Sequence, residues 1–488
     1  MSLRFAFLAL GALAIIANCA TVHAAELNVA SVDQLDKVVK QARPGDSIVI
    51  AKGTYDDAEI LFAAEGTEDR PITLKAEAAG QVVLTGKSRL RIAGRHLIVS
   101  GFDFQQIDGD RDCVEFRRDS KQFSDHCRLT ECRFRGVSAS KSKASVRWVS
   151  LYGSNNRVDH CQLEGKTTLG TTLVVWLHDQ PNHHRIDHNY FGPRPYLKKN
   201  GGETIRVGDS KTSLSSSQTT VAHNLFEACN GETEIISNKS CDNVYRSNVF
   251  RRCEGTLTLR HGNRCTVAGN WFFGEGAKRT GGIRIIGEDH KVFNNYLEKL
   301  EGDDARATIC MMNGIADSPL NGYFQVQRAL VAHNSIVDCK VPLVVGYADE
   351  DVTALLAPKD CVVANNLFVG RDRLLVDVQS SADGCQFQSN LGSKSNGGAD
   401  RADTDVNFVE LVSQPQRRIP EKDAWVDRGT RLVENKGSQE ELVPEDIEGQ
   451  PRDMKPDIGC DENSDRPILR KPVTRAEVGP YWALEATK

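Results

Sequence analysis

A short phrase, Asn followed by two β-forming residues, recurs through the middle of the chain: Asn189-Tyr190-Phe191, Asn224-Leu225-Phe226, Asn248-Val249-Phe250, Asn270-Trp271-Phe272, Asn295-Tyr296-Leu297, Asn334-Ser335-Ile336 and Asn366-Leu367-Phe368. The Asn positions are 35, 24, 22, 25, 39 and 32 residues apart. Coils of 22 to 25 residues with occasional insertions fit a parallel β-helix, in which each coil buries its apolar face only by stacking on its neighbours. The alternating segments before the Asn residues, Arg185-Ile186-Asp187 and Val158-Asp159-His160, read as strands with one face inward. Looser coils precede them around Ile98 to Phe104, Cys127 to Phe134 and Val158 to Leu163. Asn suits a coil corner twice over: it tolerates the left-handed backbone, and stacked amides can form a hydrogen-bonded ladder.

This period overrides the length prior. A chain of 488 residues would ordinarily suggest about three domains, but a solenoid grows by adding coils, so one elongated all-β domain is expected. Its open end exposes an apolar cross-section and needs a cap. Ser31 and Gln34 form a capping-box pattern, and Leu35, Val38, Val39 and Ala42 make one apolar helical face before Pro44-Gly45. Ser47-Ile48-Val49-Ile50 and Gly53-Thr54-Tyr55 then read as the first strand and turn. The expected layout is a signal peptide over residues 1–24, a β-helix over 25–400, and a C-terminal extension over 401–488 packed along the solenoid.

The leader reading rests on Arg4, the apolar run Phe5 to Ala17 and the small-residue end Val22-His23-Ala24-Ala25. It implies a secreted or periplasmic protein. Asn18 before Cys19 argues against lipoprotein processing, and no later stretch has the roughly 20 apolar residues that span a bilayer. The formal net charge of −5 removes the basic footprint of a nucleic-acid binder. Cys229, Cys241, Cys253 and Cys265 recur every 12 residues, which reads as buried free thiols at equivalent inward positions of successive coils rather than a metal motif.

Candidate chemistry concentrates between Asn200 and Arg284. On Gly231-Glu232-Thr233-Glu234-Ile235, period-two geometry sends Glu232 and Glu234 to one face. Adjacent carboxylates repel unless a cation or basic groups neutralise them, and oxygen donors with an amide such as Asn200 suit Ca²⁺ better than Zn²⁺. Taken alone, Glu-x-Glu on a strand is usually a solvated face. Lys239 follows just past the strand, and Arg260 lies about one coil on, on Thr256-Leu257-Thr258-Leu259-Arg260, with Leu257 and Leu259 inward. Arg284 and Arg206 hold what read as corresponding outward places in neighbouring coils. Surface ion pairs would explain such charges without function. Four consecutive coils with long charged side chains at matching sites instead suit an acidic polymer lying across them. Arg194, Lys198 and Lys199 read as groove-lining. His178, His183, His184 and His188 read as solvent-facing rather than as a zinc site.

Asn200-Gly201-Gly202-Glu203-Thr204-Ile205-Arg206-Val207-Gly208, Glu232-Thr233-Glu234-Ile235-Ile236-Ser237-Asn238-Lys239-Ser240 and Arg260-His261-Gly262 together resemble polysaccharide lyase family six, which contains alginate lyases and chondroitinase B. The resemblance extends from Pro44-Gly45-Asp46 to Gly479-Pro480-Tyr481-Trp482. It implies a right-handed parallel β-helix, an anionic polysaccharide substrate, Ca²⁺ held by Asn200, Glu232 and Glu234, Lys239 as base and Arg260 as acid partner or stabiliser. Arg206, His261, Arg284 and Glu203 are the expected substrate-binding residues, Glu203 and Arg284 resembling the alginate-cleaving side of the family. The implied reaction is β-elimination at a uronic acid, in which cations beside Lys239 favour its neutral amine. A dermatan sulfate lyase, a β-helix hydrolase using the paired carboxylates and a non-catalytic polysaccharide-binding protein stay open. The sequence leaves oligomeric state, endo or exo action and disulfide pairing undetermined.

Overall fold

The computed structural model describes residues 24–136, 145–349, 353, 355–370, 375–381, 383–393, 408–411 and 443–485. The signal-peptide residues, apart from Ala24, and the expected boundary at residue 400 lie outside them. Three long parallel sheets of 14, 13 and 14 strands run the length of the molecule, each coil contributing one strand to each sheet through most of the stack. This is a parallel β-helix. No helix among the described residues is long and apolar enough to cross a membrane.

Helix Val32–Val39 covers the N-terminal end, burying Leu35 and Val39 and packing Val38 and Ala42 at its margin. The expected capping box is not formed: the Ser31 side chain makes no cap bond, and the helix starts instead with the Gln34 N–H donating to the Ser31 carbonyl at 3.2 Å. The first strand is Glu26–Val29, ahead of the expected start, paired in register with Ser47–Ile50. Gly53–Asp56, read as a turn, is also a strand.

The Asn phrase specifies one corner and the strand that follows it. Each ladder Asn side-chain N–H₂ donates to the side-chain oxygen of the next, from Asn189 through Asn224, Asn248, Asn270, Asn295, Asn334 and Asn366 to Asn390, at 2.9–3.0 Å. The same oxygens accept the backbone N–H of the preceding Asn, so the corner is satisfied without water. The left-handed backbone sits one residue earlier than expected, at His188, His223, Ser247, Asn294, His333 and Asn365, with φ between 52° and 55°. That placement turns each ladder amide into the stack.

The two residues after the Asn divide their work. Phe191, Phe226, Phe250 and Phe272 stack inside the coil at centroid spacings of 4.8, 4.7 and 4.5 Å. Tyr190, Leu225, Val249, Trp271 and Tyr296 face outward, yet they are buried because Ile447, Cys460 and Val478 of the C-terminal segment pack on them. The segment continues toward the first coils, where Trp482 Nε1 donates to the Glu131 carbonyl at 2.9 Å and Arg133 lies over the Trp482 ring at 4.6 Å. All cysteines of the described residues are free, and Cys229, Cys241, Cys253 and Cys265 are buried, as their period implied.

Candidate functional site

Four adjacent strands of the 13-stranded sheet carry the site: Ile205–Gly208, Glu234–Lys239, Gly255–His261 and Thr280–Ile285. Register places Arg206, Ser237, Thr258 and Arg284 in one row, and Gly208, Lys239 and His261 in another. The expected row of three equivalent arginines is therefore corrected. The register shifts between Asn238 and Lys239, so Arg260 and His261 together oppose Lys239, and Arg260 occupies a bulge. A second shift, between Glu234 and Ile236, lets Ile235 and Ile236 both be buried. Glu232 lies just before the strand rather than on it, so the simple two-residue alternation does not hold through the site.

The bulge aims Arg260 sideways. Its Nη1–H groups donate to His261 Nε2 at 2.9 Å and to the Gly322 carbonyl at 2.7 Å, and its guanidinium lies over the Tyr323 ring at 4.1 Å. Glu234 is 3.8 Å from Arg260 Nε and accepts a short hydrogen bond from Ser237. His261 is buried beside Arg260 and Lys239. Desolvation first, and then those two cations, pull its imidazole down to about 3, so it is neutral near pH 7 and able to accept from Arg260. Arg284 is buried, with Nη2 3.5 Å from the Tyr323 hydroxyl.

The acidic side is equally constrained. Glu232 accepts from the N–H groups of Gly201 and Gly202 at 2.8 and 3.2 Å, which fixes it against the turn bearing exposed Asn200. Burial, reinforced by Glu203 and Glu234, raises the Glu232 carboxyl to about 7. Glu203 is buried with its Oε2 lacking a hydrogen-bond partner among the described residues. Crowded carboxylates and an unused oxygen fit a hard cation, since positive charge there would relieve repulsion that the protein leaves in place. The set of Asn200, Glu232 and Glu234 has only two carboxylates. Among the described residues no group of three His, Cys, Asp or Glu is placed to hold a metal.

Two expectations about neighbouring residues change. Arg194 does not line the groove: it is buried, donating to the carbonyls of Thr168, Gly170, Gly202 and Glu203 at 2.7–2.9 Å. Unmatched carbonyls in tight turns need a buried fork of donors, and Arg194 supplies one. His184 is also buried, accepting the Asn156 N–H at 3.1 Å, while His188 meets its own neighbour Asp187 at 2.8 Å. Tyr323 was not anticipated. It arrives on the insertion that lengthens the Asn295–Asn334 interval, and Ser213, on the insertion between Asn189 and Asn224, donates to the Leu320 carbonyl at 2.8 Å. The irregular intervals in the repeat were the signal for these loops.

Comparison with known proteins agrees with this architecture. The Chondroitinase B family model matches residues 29–417. Among solved structures, the alginate lyase AlyGC of polysaccharide lyase family six is 37% identical with a TM-score of 0.80, over 94% of this chain and 58% of that one. The chain thus spans well under two thirds of that relative's length. A mannuronic acid-specific family-six lyase from human gut microbiota is 29% identical with a TM-score of 0.69, over 79% of this chain and 91% of that one. A family-six alginate lyase in complex with a trisaccharide is 25% identical with a TM-score of 0.65, over 76% and 85%. No curated protein matches the chain. With its family model covering most of the coils, the chain belongs to the chondroitinase B family, polysaccharide lyase family six.

Proposed function

We propose that this protein is an exported, Ca²⁺-assisted alginate lyase acting by β-elimination. The observation that carries the reading is the row in which Lys239 faces a neutral His261 bonded to Arg260, with Glu234 on the same strand as Lys239 and the crowded Glu232 just before it. Asn200, Glu232 and Glu234 would hold Ca²⁺, whose charge would neutralise a uronate carboxylate and favour loss of the C5 proton.

Lys239 would take that proton on Nζ. The C5–H electron pair becomes the C4–C5 double bond, the C4–O glycosidic bond breaks with its electrons on oxygen, and that oxygen takes up a proton from water or from the newly formed Lys239 ammonium. Arg260, held by His261, Gly322 and Tyr323, offers its remaining N–H groups to the oxyanion and the leaving oxygen. It acts as a stabiliser because a guanidinium does not readily release a proton. Arg206, Arg284 and Glu203 would bind and orient the sugar. Neutral His261 serves chiefly to aim Arg260.

Alginate is favoured by the named alginate lyases among the similar structures, whereas the family model bears the name of a dermatan sulfate-type enzyme. Incubating the mature protein with each polymer in the presence of Ca²⁺ separates the two readings. Unsaturated, ultraviolet-absorbing ends are expected from alginate. Such ends from dermatan sulfate alone would replace the substrate, and shortened chains lacking the double bond would replace the lyase reading with hydrolysis.

A further inference from the structure

Beneath the reacting centre, inside the coils, lies a polar group that the chemistry above does not use. The inward row of the site sheet runs from coil to coil through Val175, Val207, Asn238, Leu259, Ile285 and Met311. All but Asn238 belong to the apolar core, and Asn238 immediately precedes Lys239 on the same strand. It is fully buried. An amide in such a row costs stability unless its polar atoms are bonded, so an apolar side chain would be the simpler filling.

The bonds are met. Asn238 Nδ2 donates to the Ser240 carbonyl at 2.9 Å and to the His261 carbonyl at 2.7 Å. Its Oδ1 accepts from Asn243 Nδ2 and from the Tyr245 hydroxyl, both at 2.8 Å. Two donated and two accepted bonds are the full capacity of a side-chain amide. Tyr245 reaches it from strand Val244–Arg246 of another sheet, where its partners in register are Val221 and Val267. Burial pushes the Tyr245 hydroxyl well above its ordinary range, so it stays protonated and donates. Asn243 is fixed in turn: its Oδ1 accepts the Thr219 N–H at 2.9 Å, and its Nδ2 donates to Ser240 Oγ at 2.9 Å.

The network ends on the slip in register. Asn238 pairs with Leu259, so unbroken register would pair Lys239 with Arg260, yet Lys239 pairs with His261. The His261 carbonyl, two residues past Leu259, is the one that Asn238 grips from inside. That grip draws His261 to the level of Lys239 and leaves Arg260 as the extra residue of the bulge. Gly262 follows with φ +85°, where a Cβ would collide with the Ser240 carbonyl, so the chain closes tightly behind the bulge.

We propose that Asn238, backed by Tyr245 and Asn243, is a positioning residue: it enforces the slip that sets His261 opposite Lys239, and so aims Lys239 and Arg260 at one point. Its bearing on turnover rests on the alginate lyase reading, whereas its hold on the bulge does not. The test compares Asn238→Leu and Tyr245→Phe with Asn270→Ala, which breaks a buried amide of the corner ladder away from the site.

Asn238→Leu should lower kcat on alginate about 10²-fold with KM little changed, the cost of a small misplacement of reacting groups, and Tyr245→Phe should lower it about tenfold. Asn270→Ala should lose at least as much melting temperature as Tyr245→Phe and keep its kcat. A crystal structure of Asn238→Leu should show Lys239 opposite Arg260 in unbroken register, with the guanidinium gone from the Gly322 carbonyl. A bulge that survives in that crystal, or kcat losses that merely track melting temperature across the three variants, would overturn the assignment. If Asn238→Leu does not fold, Tyr245→Phe against Asn270→Ala decides through the split between KM and kcat. If the wild type leaves alginate and dermatan sulfate both uncut, the lyase reading fails, and the Asn238→Leu crystal decides the positioning by itself.

Discussion

The Asn corner and the site sheet are built from the same coils, yet they obey opposite rules. Along the corner every rung repeats the last: Asn224, Asn248 and Asn270 each give and receive the same bonds at about 3.0 Å. Along the site sheet the register slips twice within one strand pair, at Glu234 and at Lys239, and the side chains with chemistry stand at the slips. Regular stacking satisfies backbone and amides but presents identical groups at every level. A reacting centre needs unlike groups converging on one point, and a bulge re-aims a side chain without dismantling the coils on either side.

The largest test of that contrast removes one group from each region. Lys239→Ala should lower kcat on alginate about 10³-fold, within the usual range for a lost general base, with an unchanged melting temperature and retained oligosaccharide binding. Near wild-type turnover would mean that the irregular sheet is not the reacting one. Asn248→Ala should do the reverse. It strips acceptors from the buried Asn224 N–H groups and a donor from Asn270, costing about 2–4 kcal/mol of stability in denaturant titration. Its kcat at low temperature should stay at the wild-type level, and a selective loss of turnover would erase the division of labour.

A smaller effect sharpens the acidic side. The folded Glu232 carboxyl titrates at about 7, above the usual 4.5, so the folded state binds more protons than the unfolded one between those values. Stability of the chelated protein should therefore fall as pH rises from about 4.5 to 7. Ca²⁺ should reverse that fall at neutral pH, and Glu232→Gln should flatten it. Melting curves across this range check the slope, and identical slopes in the two proteins would remove Glu232 from the metal set.

The contrast also explains what was legible from residues alone. The coil, its period, the buried thiols and the capping helix are repetitive or amphipathic patterns, and periodicity encodes them directly. Glu232, Glu234, Lys239 and Arg260 stand out as candidates because charged residues interrupt apolar strands at near-coil spacing. Their true arrangement was not visible, since a one-residue bulge leaves the composition of a strand untouched while turning the following side chains to the other face. Arg194 looked like a groove residue because a charge in a turn ordinarily faces water. Only the carbonyls that converge on it from two adjacent coils reveal otherwise. Gly322 and Tyr323 meet Arg260 across 62 and 63 positions of sequence.

The C-terminal segment changes how such a stack can come apart. Cys460 N–H is held by Ser335, Arg475 by Gln162, and Tyr481 N–H by Glu131, so a single strap runs back over many coils. A solenoid with only neighbour contacts can fray inward from either tip. Here loosening a tip also loosens its tether to distant turns, so melting should be concerted, and early proteolytic cuts in the strap should free the terminal turns before the middle.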